Sequence, residues 1–130
     1  MGLFGDKTQD QDSGTGVEGE VERLSALALP ALASEVMVRG FGPECPADDG
    51  RPSVRMITDL LVPGGARLEM GAYQGLNELI GEGMQVLEHA GLVLPTIWGG
   101  KGGLYFVATR VGKTALERNT VDQAIGNGSP

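Results

Sequence analysis

The chain is 130 residues long, the size of one domain, with 41% hydrophobic residues but only 5% aromatic ones. Its core must therefore be aliphatic, built from Leu, Val, Ala and Met. The net charge of −7 repels nucleic acid on average, so binding a polyanion would require a local basic patch. A single cysteine, Cys45, excludes an intrachain disulfide and fits a reducing cytoplasm, the expected location. No run approaches ~18 apolar residues, which argues against a transmembrane helix and a membrane partner. The start, MGLFGDKTQDQ, lacks the basic and apolar regions of a secretory signal. Gly2 raises myristoylation, but Asp6 stands where the acceptor pattern wants Ser or Thr.

The acidity is uneven. Residues 1–22 carry six acids (Asp6, Asp10, Asp12, Glu18, Glu20, Glu22) against Lys7, a net of −5, and the remainder carries −2. Residues 1–16 hold Gly, Asp, Gln, Thr and Ser with almost nothing apolar after Phe4. Such a segment buries too little surface to offset its ordering entropy. A disordered acidic tail is expected, either inert or competing with nucleic acid for a basic patch. From Glu18 the pattern becomes helical: Val17, Val21, Leu24 and Ala28 recur at three- and four-residue steps. Acids in the first turn suit the helix dipole. Pro30 then either kinks this helix or opens a second one at its first position. Leu32, Val36 and Arg39 continue the period, and Gly40 or Gly42 ends it.

Gly42 to Pro52, GPECPADDGRP, holds three prolines and two glycines and reads as a loop. Its Glu44, Cys45, Asp48 and Asp49 fall short of a zinc site, which needs about four convergent ligands, here with one thiol and no nearby histidine. No metal is expected. Ser53 is placed to cap a short helix whose apolar face is Val54, Ile57, Leu60 and Leu61, ended by Pro63-Gly64-Gly65. Ala72 to Ala90 reads as the next helix, with Leu76, Leu79, Ile80, Gly83, Leu87 and Ala90 inward. Gly75, Gly81 and Gly83 each weaken it by up to ~1 kcal/mol relative to alanine, so it breaks near Gly81 or relies on close packing there. Gly91 stops it, as the residue that takes the left-handed position after a helix without penalty. Leu92 to Leu94 and Leu104 to Val107 have strand composition. Gly99-Gly100-Lys101-Gly102-Gly103 between them reads as a hairpin tip. Thr109 or Thr114 caps a last helix, with Ala115, Leu116, Val121 and Ile125 as its apolar face. Residues 126–130 are expected to fray.

Helix, Gly91-Leu92-Val93, strand, glycine tip, strand and Ala108-Thr109-x-x-Gly112-x-x-Ala115-Leu116 follow one another in an order that resembles the winged helix-turn-helix family in its MarR/PadR-like form. The resemblance covers about residues 29–116. It implies an α+β, mostly α, fold with a two-stranded β-hairpin wing, in one domain over residues 17–125. It also implies that the helix before Pro30 is an extension of the kind that builds dimers. The reading helix would be roughly Tyr73 to Ala90, lying in a major groove while the wing reaches phosphates or the minor groove.

The residues offer little for catalysis. His89, the one histidine, has no nucleophile or carboxylate partner assignable by spacing. Gly112-Lys113-Thr114 imitates the end of a phosphate-binding loop, but the glycine that pattern needs falls on Val107. Gly99 to Gly103 forms a hairpin tip rather than a dinucleotide fingerprint. No catalytic residue and no cofactor are assigned, which leaves binding. From Leu68 to Gly100 there are four acids (Glu69, Glu78, Glu82, Glu88) and no Lys or Arg. Four negative charges on a reading helix would face a polyanion, whereas phosphate contacts by Lys and Arg usually dominate affinity. The first expectation is therefore a non-catalytic module, working as a homodimer or a docking adaptor for a protein partner. Its contact residues would be Tyr73, Glu78, Glu82, Gln85 and Trp98, the tryptophan being either core cover or an interface anchor. The alternative is a DNA-binding regulator. Gln74 and Asn77 would then read bases, and Lys101, Arg110, Lys113 and Arg118 would hold phosphates.

Overall fold

The computed structural model describes residues 16–96 and 104–128. The tail before Gly16, Trp98, Lys101 and the glycine tip lie outside them, as do residues 129–130. The chain is mostly helical, with one two-stranded antiparallel sheet. Helix α1 spans residues 16–26. Next come α2 (Leu29–Phe41), α3 (Val54–Leu61), a 3-10 turn (Gly65–Arg67) and α4 (Met70–His89). Strands β1 (Val93–Thr96) and β2 (Tyr105–Ala108) precede α5 (Arg110–Arg118) and α6 (Val121–Gly128).

The choice at Pro30 is resolved in favour of a restart. Pro30 sits in the first turn of α2, where its missing N–H breaks no helical bond. Helix α1 then folds back on its own domain. Leu24 is fully buried, and Val17, Val21 and Leu27 pack partly against the same core. Burying a leucine this way stabilises by about 1.5–3 kcal/mol. Ser53 caps α3 by accepting a hydrogen bond from the Met56 N–H at 3.2 Å. Thr58, not expected inside, is buried and its hydroxyl donates to the Val54 carbonyl at 2.9 Å.

Helix α4 runs unbroken through its glycines. A Cβ on Gly83 would lie 3.3 Å from Val36 Cγ2 and 3.6 Å from Ala33 Cα, so this glycine marks the close crossing of α4 over α2. Gly81 meets nothing within 4 Å and interrupts nothing. Gly91, at φ 78°, ends the helix.

The strands pair Val93 with Ala108 and Thr96 with Tyr105. Ser53 adds an isolated antiparallel bridge to Tyr105, and the Phe106 N–H donates to the Pro52 carbonyl at 2.9 Å. The loop before α3 is thereby stitched to β2, a pairing across more than fifty residues that local pattern does not announce. At the far end the single expected helix is two. Asn119 adopts φ 56° and ends α5 in the left-handed conformation. Helix α6 then turns back against α2 and buries Val121 and Ile125.

Candidate interaction surface

Helix α4 is the longest element, and its two sides differ. Leu76, Ile80, Gly83, Met84 and Leu87 are buried. Glu78, Glu82, Gln85, Glu88 and His89 are exposed. The helix starts at an open end where Met70 is 73% exposed. That large apolar side chain beside an acidic face was not singled out from the sequence, because a lone Met at a helix start has no periodic signature.

Tyr73 reaches across to α3. It is half-buried, its hydroxyl donates to Asp59 Oδ1 at 2.8 Å, and the Arg55 guanidinium lies 5.8 Å from its ring centre. These contacts clamp α3 to α4 and give Tyr73 a packing role. Asn77 is half-buried too. Its Nδ2 donates to the Tyr73 carbonyl at 3.2 Å, and its Oδ1 is enclosed without a partner. Gln74 is exposed.

Between α1 and α4 runs a groove. Its floor is Val21, Leu68, Ala72, Leu76 and Leu79. It has two halves that share Val21 and Ala72: Glu18 and Glu22 of α1 border one and Glu78 and Glu82 of α4 the other, all four exposed. The half beside Glu78 and Glu82 encloses ≈ 380 Å³. No Lys or Arg lines either half. Each half carries its two glutamates four residues apart, an arrangement that destabilises a helix by about 0.2–0.5 kcal/mol per pair. The nearest cation along α1, Arg23, is engaged elsewhere. It donates to Glu20 Oε1 at 2.9 Å and to Glu35 Oε1 at 3.0 Å. Glu35, held by these hydrogen bonds from Arg23, has its pKa lowered.

A second set of basic residues, those of α5, lies past the other end of α4. Thr109 joins that end to α5: its hydroxyl donates to the Gly91 carbonyl at 2.6 Å and accepts from the Gly112 N–H at 2.9 Å. Gly112 is packed so closely that a Cβ there would fall 2.1 Å from the Leu92 carbonyl oxygen. The Gly112-Lys113-Thr114 stretch thus has a steric reason for its glycine. Arg110, Lys113 and Arg118 on α5 are exposed, with Val111 among them 59% exposed and Glu117 as the nearby acid. Arg110, Thr114 and Arg118 also border a shallow ≈ 400 Å³ groove against Thr120 and Gln123 of α6. None of the three cations forms an ion pair among the described residues.

The sequence-derived nucleic-acid set is therefore divided. Gln74 lies near the start of α4, whereas α5 is tied through Thr109 to Gly91, just past its end. At 1.5 Å per residue, Gln74 and His89 are about 22 Å apart along the axis. Among the described residues, no group of three or more His, Cys, Asp or Glu could hold a metal ion. Cys45 is half-buried, its thiol 3.5 Å from the Ala47 carbonyl. No described helix is long and apolar enough to cross a membrane. No family model, no curated protein and no solved structure matches this chain.

Proposed function

We propose that this chain is a non-catalytic winged-helix module that acts by binding protein, as a regulatory adaptor or with a second copy of itself. Two features support the winged-helix reading. One is the order α2, bridge, α3, turn, α4, hairpin. The other is the stitching of Ser53 to β2. The observation that carries the functional reading is the exposed side of α4: Glu78, Glu82, Gln85 and Glu88, with no cation among them. In a groove of DNA these carboxylates would face phosphates without the Lys and Arg contacts that supply affinity. Against a protein they provide charge complementarity and partner choice.

The second reading, a DNA-binding regulator, is favoured by exposed Arg55 and Arg67 near the start of α4 and by Arg110, Lys113 and Arg118 on α5. The separation of α5 from Gln74 weighs against one continuous footprint. An amide chemical-shift titration with a generic duplex, at low and at higher salt, separates the readings. The expected result is no salt-sensitive shift at Gln74, Asn77, Arg110 or Lys113. Shifts there that fade with salt would overturn the protein-binding reading.

A further inference from the structure

We propose that the groove between α1 and α4 receives α5 of a second copy of this chain. The inference rests on the protein-binding reading above and names the partner. Two surfaces are opposite in character. The groove has an apolar floor and four exposed glutamates on its borders. Helix α5 presents a protruding apolar side chain, Val111, with Arg118 on the same face and Arg110 flanking it. Within one chain the two lie apart, because the groove runs beside Ala72 to Glu82 of α4 whereas α5 is tied through Thr109 to Gly91, past the end of that helix.

A second copy unites them. Val111 covers the floor at Ala72 and Leu79, and the cations approach Glu78 and Glu82. The repulsion that each glutamate pair imposes on its own helix becomes attraction to the partner. Lys113 and Glu117, four residues apart on another side of α5, lie outside the contact. Two molecules placed side by side with their α4 helices antiparallel bring each α5 to the other's groove. The contact then occurs twice about a two-fold axis and closes as a dimer instead of propagating. Each copy carries −7, so long-range repulsion opposes association. The dimer is accordingly a weak one, with a dissociation constant in the range of about 1–100 μM expected for a small interface.

Sedimentation velocity across that concentration range is the test. The wild-type chain should pass from monomer to dimer. The double variant E78K/E82K should weaken dimerisation by more than about 100-fold, since like charges across an interface cost several kcal/mol. Yet it lowers the net charge of each copy from −7 to −3. A net-charge effect alone would strengthen association, so the two explanations predict opposite outcomes. The double variant R110E/R118E should also be monomeric. An equimolar mixture of the two variants should dimerise again, because both contacts are then complementary. All four positions are exposed, and circular dichroism checks that each variant folds. A wild-type chain monomeric throughout, association indifferent to the substitutions, or a mixture that stays monomeric would each overturn the proposal. A monomeric chain that still ignores duplex DNA would remove the second copy as partner and leave the protein-binding reading standing.

Discussion

Gly112 and Gly81 are the same residue type inside helices, and the structure gives them opposite meanings. A methyl group on Gly112 would collide with the Leu92 carbonyl oxygen and come within 2.9 Å of Met37 Cε. The backbone oxygen cannot move aside as a flexible side chain would, so G112A should destabilise by about 2–3 kcal/mol. Gly81 has open space around its missing Cβ, so G81A should stabilise by about 0.5–1 kcal/mol through helix propensity. Chemical denaturation of both variants checks this, and equal effects of one sign would refute the packing argument. Ser53 was legible as a helix cap, and Thr109 as one of two candidates, because a cap depends on residues only three apart. Tyr73 was not legible as a clamp, since its partner Asp59 belongs to another helix. The left-handed turn at Asn119 had a readable signal, because asparagine is second only to glycine in that conformation.

At the scale of elements, α1 is held by more than apolar burial. Arg23 bridges from α1 to Glu35 on α2 and joins the two helices on either side of Pro30. Hydrogen bonding from Arg23 lowers the Glu35 pKa. The ion pair therefore stabilises the fold above the ordinary glutamate range near 4.3 and ceases to do so as pH falls through the lower folded value. Because Arg23 is 43% exposed, solvent screening limits the contribution to about 0.5–1 kcal/mol. E35Q should be less stable than wild type by that amount at pH 7, with the gap closing as pH falls below the ordinary glutamate range. A gap that persists unchanged at acid pH would show that packing of the side chain, not its charge, is responsible. Helix α4 illustrates the other side of element reading. Its existence and inward face followed from periodicity, but its start at Met70 and its passage through Gly81 did not. The crossing with α2 at Gly83 offsets the propensity cost of its glycines.

Over the whole molecule, the two end helices close the core from opposite termini. Leu24 of α1 is fully buried and Ile125 of α6 is 4% exposed, both in the cluster that holds α2 and α4. The end helices should therefore melt with the rest. L24A and I125A should each lower stability by about 2–5 kcal/mol within a single transition of unchanged denaturant dependence. A separate early transition in either variant would show that its helix is an independent attachment. This closure also bears on assembly. A dimer made by exchanging α1 would have to pull Leu24 from its own core. Docking of intact surfaces, as in the α5-to-groove contact, leaves the core of each copy undisturbed.

The amino-acid sequence by itself determined most of the helices, the two paired strands, the aliphatic core and the sign of the charge on α4. Each of these depends on residues within a few positions of one another, through periodicity, capping and composition. Only the tertiary structure decided that Ser53 pairs with Tyr105, that α1 returns to its own domain and that Tyr73 is engaged by α3. It alone brought α1 beside α4, so that Glu18 and Glu22 border one half of a groove and Glu78 and Glu82 the other, and separated α5 from the start of α4. Those are relations between residues far apart in the chain. They are set by which apolar faces find each other, and no local pattern encodes which distant face that will be.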